Sequence, residues 1–157
     1  MKKETIRDEL YLEYPEEFVL MSREQLKEVY LDENPNRWGI RDLERHALFS
    51  VWWHVSNPLL AALASAEDIC KADEKKMAKG LAGYGYVLKG FFDEKVASVS
   101  TKGFSYEYVL QGKKQIAETI VLKKKNVCYT IYFYSDEEHS DQNKETFREF
   151  LNSMELK

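Results

Sequence analysis

Residues that usually carry chemistry are scarce in this chain. Its 157 residues include two cysteines, three histidines, three prolines and seven glycines. Cys70 falls in a helical stretch and Cys128 in a strand-like one, with no Cys-x-x-Cys spacing and no adjacent cation to lower a thiol pKa. Both read as free thiols packed as small hydrophobes. His46 and His54 share a face of one predicted strand, roughly 26 Å apart, too far to hold one metal ion. Glu44 and His46 could supply two ligands, and no second pair accompanies them. His139 falls in a polar turn and reads as solvent-exposed. The glycines Gly80, Gly83 and Gly85 stand between a helix and a strand, the reverse of the strand-to-helix order of a phosphate loop. None of Ser50, Ser56, Ser65, Ser98, Ser100 or Ser105 sits in a Gly-x-Ser-x-Gly elbow. No metal, no cofactor and no catalysis is therefore expected.

Long apolar runs are missing too. The longest cluster, Leu59 to Ala64, is far shorter than a membrane span. Met1-Lys2-Lys3-Glu4-Thr5 leads to Asp8 and Glu9 where a signal peptide needs its hydrophobic stretch, so the expected location is the cytoplasm. The net charge of −4 argues against a general polyanion binder. The lysine pairs do not reverse this. Lys113 and Lys114 lie at one end of a predicted hairpin and Lys123 to Lys125 at the other, roughly 28 Å away. Asp136, Glu137 and Glu138 return to the Lys113 end. No nucleic-acid partner is expected.

What the chain does have is apolar alternation. Phe104, Tyr106, Tyr108 and Leu110 take one face of a strand; Ile116, Ile120 and Leu122 follow, then Val127, Tyr129, Ile131 and Phe133. These runs make a three-strand antiparallel meander, with turns at Gly112-Lys113-Lys114 and Lys124-Lys125-Asn126. Phe147, Phe150, Leu151 and Met154 then form the stripe of a helix able to cover such a sheet. Leu10, Leu12 and Tyr14 mark a strand ended by Pro15. Ser22 and Gln25 form a capping box, with Met21 and Leu26 as a hydrophobic staple, for a helix running from Arg23 to about Leu31. The stretch Arg45 to Val55 carries bulk on both faces and reads as a central strand. Asn57-Pro58 and Ser65 are two successive helix starts, and Asp73 interrupts the apolar stripe of the second helix. Tyr84 to Phe91 reads as a further strand, and 92–103 as an edge strand or an ordered loop. One domain over 1–157 is the simplest expectation.

The words Leu10-Tyr11-Leu12-Glu13-Tyr14-Pro15-Glu16-Glu17-Phe18 are similar to the opening strand-Pro-x-x-aromatic signature of the PsbP/DcrB superfamily, which includes the Ran-GTPase release factors. The close, Phe147 to Leu156 with Leu151-Asn152-Ser153-Met154, resembles its terminal Phe-x-x-x-Leu-x-Ser-aliphatic helix. The opening is also similar to small cytosolic proteins of Gram-positive anaerobes. The resemblance implies an α+β fold, an α-β-α sandwich around a mostly antiparallel sheet with the C-terminal helix packed on it. It implies no activity. Members of the superfamily bind photosystem subunits, a small GTPase, or secretion effectors held by chaperones.

The aromatics are the functional lead. Trp52 and Trp53 point to opposite faces of one strand, and Trp52 shares its face with His46 and His54. Trp38 falls in an expected loop beside Arg37. Exposed Trp and Arg anchor many interfaces. The expected site is thus Trp38, Trp52, Arg37, Arg41 and His54, binding another protein or a small amphipathic ligand. Leu59, Leu60 and Leu63 make a second candidate surface. Two alternatives stand beside this reading: a cargo chaperone whose concave groove shields apolar helices, and an enzyme pairing His46 or His54 with a carboxylate.

Overall fold

In the computed structural model, which describes residues 1–157, the chain forms two antiparallel sheets and four α-helices. Strands β1 (Lys2–Ile6), β2 (Leu10–Tyr14) and β10 (Glu155–Leu156) make a small sheet in the order β1-β2-β10. The large sheet comprises β3 (Val19–Leu20), β4 (Arg37–Asp42), β5 (Ala47–Val55), β6 (Val87–Val96), β7 (Val99–Leu110), β8 (Lys113–Lys124) and β9 (Val127–Asp136). Its spatial order is β3-β4-β5-β9-β8-β7-β6. The helices are α1 (Arg23–Tyr30), α2 (Pro58–Ala61), α3 (Ala66–Gly80) and α4 (Ser140–Asn152).

Local signals set most of these bounds. Ser22 and Gln25 cap α1 reciprocally, Ser65 and Asp68 do the same for α3, and Asn57 with Pro58 starts α2. The β6–β7 turn puts Ala97 and Ser98 at φ 53° and 64°, and the β7–β8 turn puts Gln111 and Gly112 at 53° and 77°. Positive φ at both central residues matches the right-handed strand twist and closes each hairpin in two residues. The stretch 92–103 is thus neither edge strand alone nor loop, but the tip of a hairpin that lengthens the meander by a strand.

Register decides which side chains share a face. Phe49 pairs with Phe133, Val51 with Ile131, and Ile131 with Ile120. This face receives α4 and the small sheet. Phe49 lies at its centre, with ring centroids 4.8 Å from Phe18, 5.1 Å from Phe147 and 5.3 Å from Phe150. Leu10, Leu12, Ile40, Ile120, Phe147 and Phe150 are fully buried there, each worth about 1.5–3 kcal/mol. On the opposite face Phe104 pairs with Thr119, Tyr106 with Ala117, and Thr119 with Tyr132. There α3 lays Cys70 over Phe104, Tyr106, Ala117 and Val121. The aromatic row of β7 therefore faces α3, whereas the aliphatic row of β8 and the Val127-Tyr129-Ile131-Phe133 row of β9 face α4. β5 is central and covered on both sides, as its two bulky faces require.

Three expectations change, and one strand comes without any. Trp38 lies in β4, not in a loop, and is 9% exposed. His46 sits in the turn before β5 at φ 51° instead of sharing a strand face with His54. Tyr84 belongs to a single 3-10 turn, and the strand begins at Val87. β1, Lys-Lys-Glu-Thr-Ile, shows no apolar alternation and is defined by its pairing with β2.

Candidate functional site

α1 and α3 cover the same face of the large sheet and leave a cleft between them. One compartment, about 390 Å³, is walled by Val29 and Tyr30 of α1, Met77 of α3 and Leu81 just after it, with Leu48, Tyr108, Tyr132 and Tyr134 as its floor. An adjoining compartment of about 230 Å³ shares Met77 and Tyr132 and adds Arg37, Trp52, Asp73, Lys76, Phe104 and Thr119. The first is apolar and the second mixed, so the cleft is amphipathic along its length. A charged groove beside α1 has one apolar residue in its lining, Leu26, and four of its six charges already pair, Lys27 with Glu33 and Arg37 with Asp32 at 2.9 Å, so it is less suited to an amphipathic ligand.

Arg37 organises the polar end. Its guanidinium lies 4.0 Å from the centroid of Tyr30 and 5.9 Å from that of Trp52. Asp32 accepts from Nε at 3.2 Å and from Nη2 at 2.9 Å. This forked pair holds the Asp32 carboxyl below the usual carboxylate range. Burial works against the Arg37 charge, but Asp32 more than offsets it. Burial also pushes the Tyr30 hydroxyl up to about 12 and those of Tyr106, Tyr132 and Tyr134 higher still, so all four are neutral phenols at neutral pH.

The α3 face of the sheet, and α3 itself, carry polar atoms without a partner in the chain. Six buried side-chain polar atoms make no hydrogen bond, and five of them lie between α3 and the sheet: Trp52 Nε1, Asp73 Oδ2, Tyr106 Oη, Thr119 Oγ1 and Thr130 Oγ1. Tyr106 has hydroxyl neighbours on Tyr134 and Thr119 but no bond of full geometry with either. Folded proteins satisfy most such atoms, so this concentration marks a layer built for something other than dry packing. Burial raises the Asp73 carboxyl above its ordinary range, against the pull of Lys76.

The five residues expected to form one site separate. Arg37, Trp52 and His54 share the α3 face, and the His54 ring stacks on Trp52 at 6.0 Å. Arg41 is on that face too, but pairs with Leu48 further along β4 and lines a different groove with Leu20 and Gln25. Trp38 points to the opposite face, stacked on Phe150 at 6.2 Å and edge-on to Tyr14 at 5.6 Å. Alternation along β4 is the cause, since neighbours 37 and 38 cannot face the same way. Asp73, Lys76, Met77, Tyr30 and Tyr132 join the site from distant stretches. In the sequence Tyr30 and Met77 read only as members of apolar helical stripes, and Asp73 as the break in one.

Histidine and thiol chemistry lies elsewhere. Both compartments lack histidine, serine and cysteine. His46 and His54 are exposed rather than sealed in apolar packing. His139 is part-buried at the start of α4, its Nδ1 2.9 Å from Asp136 Oδ1 and its ring 5.6 Å from that of His46. Asp136, Glu138 and His139 offer ligand atoms within 4.8 Å of one another and could hold a cation. Burial opposes the Asp136 charge, yet the His139 backbone N–H and ring hold its carboxyl below the ordinary range, so Asp136 is already engaged by His139 at the residue before α4. Burial pushes the thiols of Cys70 and Cys128 up to about 11, which leaves them protonated at neutral pH. At the other end of the β7–β8 hairpin from the lysine run, Lys114 pairs with Glu107 and Glu137.

No protein-family profile matches the chain, and no curated protein does. Solved structures do. Cyanobacterial PsbP (CyanoP) from Synechocystis sp. PCC 6803 superposes with a TM-score of 0.73 at 15% identity, over 99% of this chain and 92% of its own. The Ran-binding protein Mog1p of Saccharomyces cerevisiae gives 0.62 at 7% identity, over 99% and 94%. PA94 of Pseudomonas aeruginosa gives 0.58 at 11% identity, over 98% and 94%. At these identities the likeness is one of fold, and the fold is the PsbP/DcrB/Mog1-like one that the opening and closing motifs resemble. No helix is long and apolar enough to cross a membrane.

Proposed function

We propose that this chain is a non-catalytic binding domain whose site is the cleft between α1, α3 and the large sheet, and that its ligand is a small amphipathic molecule with a flat ring. The observation that carries this reading is the pair of unpartnered buried atoms at the polar end, Trp52 Nε1 and Asp73 Oδ2, beside Arg37. A ligand acceptor aimed at Trp52 N–H and a ligand donor aimed at Asp73 would satisfy both. Each such pairing removes a desolvation cost of about 1–3 kcal/mol. The ring slides over Tyr132 toward the tyrosine-floored compartment, where neutral phenols and Met77 supply contact area at little entropic cost. Walls with a single carboxylate, and with no histidine, serine or cysteine beside it, support binding over turnover. Mog1p, of similar fold, is a Ran-binding protein, which agrees with a binding role. Two free thiols are consistent with a cytoplasmic setting.

The test is titration with 8-anilinonaphthalene-1-sulfonate, a flat amphipathic fluorophore with an anionic head for Arg37 and Lys76. One saturable site is expected, weakened about tenfold or more in Arg37→Gln and in Trp52→Ala, with Trp38→Phe unchanged. Binding that ignores Arg37 and Trp52 would refute the site.

A further inference from the structure

The end of the molecule built by α2 and the β8–β9 turn has properties the cleft does not use. Leu59, Leu60 and Leu63 are 81%, 63% and 80% exposed. They are not loose. Lys123 Nζ donates to the carbonyls of Ala61 and Ala64. Ser56 N–H donates to the Asn126 carbonyl at 2.9 Å, and Asn126 Nδ2 donates back to the Ser56 carbonyl at 3.0 Å. The leucines thus stand on a braced knuckle. Lys123 and Lys125 border it together with Pro58, Ala61, Ala62 and Asn126, with no acidic residue among them. Lys124 and Lys125 form no ion pair, whereas Lys114 at the far end of β8 forms two. The nearest carboxylates along the chain are engaged: Asp68 caps Ser65 N–H at 3.2 Å, and Glu67 pairs with Lys71 at 3.5 Å.

We infer that this knuckle docks the protein on an anionic lipid bilayer. The leucines enter the acyl boundary, while the exposed Lys125 in the turn beside them meets the headgroup phosphates. A protein partner fits less well. Interface cores favour aromatic residues and arginine and exclude lysine, whereas this patch is aliphatic and lysine-rimmed. Bilayers take aliphatic tips below the headgroup level and lysines at it. The overall charge of −4 does not oppose this, because screening confines the interaction to the charges nearest the surface.

The experiment is flotation of the full chain with vesicles of phosphatidylcholine alone or mixed with phosphatidylglycerol, at low salt and at about 0.5 M salt. Wild type is expected to float with the mixed vesicles at low salt, and far less with the neutral ones or at high salt. Lys125→Gln lowers partition about fivefold. Leu59→Asn, Leu60→Asn and Leu63→Asn together lower it about 100-fold or more. Urea midpoints of both variants stay at the wild-type value, because the altered leucines and Lys125 are exposed. Absence of flotation, equal flotation on both vesicle types, or flotation indifferent to the leucines overturns the inference. A dimer that depends on the leucines and forms without vesicles also overturns it, and assigns the knuckle to a second copy of the chain.

Discussion

Replacing Asp73 by Asn should make the protein more stable, which is unusual for a change at a partly buried polar position. Asp73 lies near the middle of α3, facing the sheet, with Oδ2 buried and unpartnered. A buried polar atom left unsatisfied costs about 1–3 kcal/mol, and a charged one more; Asn keeps the unsatisfied atom but removes the charge. Part of the side chain still meets solvent, and Lys76 offsets a few tenths of a kcal/mol, so the lower end applies. Asn and Asp have nearly equal helix propensity, so the backbone is indifferent. The expected gain is about 1 kcal/mol at pH 7, or roughly 2–4 °C in Tm for a chain of this size. The pH dependence follows from the raised carboxyl pKa. The folded state holds this proton to higher pH than the unfolded state does, so the wild type loses stability as pH rises through the folded pKa. The variant does not titrate there. Its advantage is complete at pH 7 and shrinks to nothing as pH falls below the ordinary aspartate value of about 3.9. Urea unfolding of both proteins at steps from pH 7 down to about pH 4 reads this directly. A variant equal or inferior to wild type at pH 7, or an advantage that does not narrow on acidification, refutes the account of the cleft as a layer with unmet polar demand. Retaining a destabilising carboxylate makes sense where a site needs it.

Trp38→Ala should cost about 3–5 kcal/mol in urea unfolding, because the indole fills core between Tyr14 and Phe150, and the protein that remains folded should bind the fluorophore as wild type does. A cost under 1 kcal/mol would return Trp38 to the surface. Arg148→Met should cost about 2 kcal/mol, since Arg148 donates to both oxygens of Glu118 at 2.8 and 3.1 Å and Glu118 is 5% exposed. The figure is discounted because the Arg148 side chain is 40% exposed. Adding Glu118→Gln should recover most of that loss, and a double-mutant cycle by urea unfolding measures the coupling.

The buried Glu118–Arg148 pair and the unpaired cleft show how differently the two faces of one sheet are finished. On the α4 face, charge comes with a partner. Burial pushes the Glu118 carboxyl up and Arg148 draws it back, while Asn143 is held by Arg45 and Ser135. On the α3 face, a phenol-rich floor with hydroxyls lacking partners lies beside an open cleft. The first arrangement specifies one packing; the second leaves interaction capacity for a molecule from outside.

Read alone, the sequence determined whatever depends on near neighbours in the chain. The capping boxes at Ser22 and Ser65 place two helix starts, because those bonds span only three residues. Alternation in 104–133 and the Phe147–Phe150–Leu151–Met154 stripe determined a covered antiparallel sheet, because side-chain periodicity is a local property of the backbone. The words around Pro15 and Ser153 pointed to the fold that the solved structures share. Tertiary structure decided everything that depends on register and on which layer lies above. It sent the β7 aromatics to α3 and the β8 aliphatics to α4, and moved Trp38 out of a supposed loop into the core. It also brought Asp73 to Trp52 and Arg37 across more than twenty residues of chain. A strand announces that it has two faces, but which face meets which helix is settled only when distant strands pair. The cleft exists only after that choice is made.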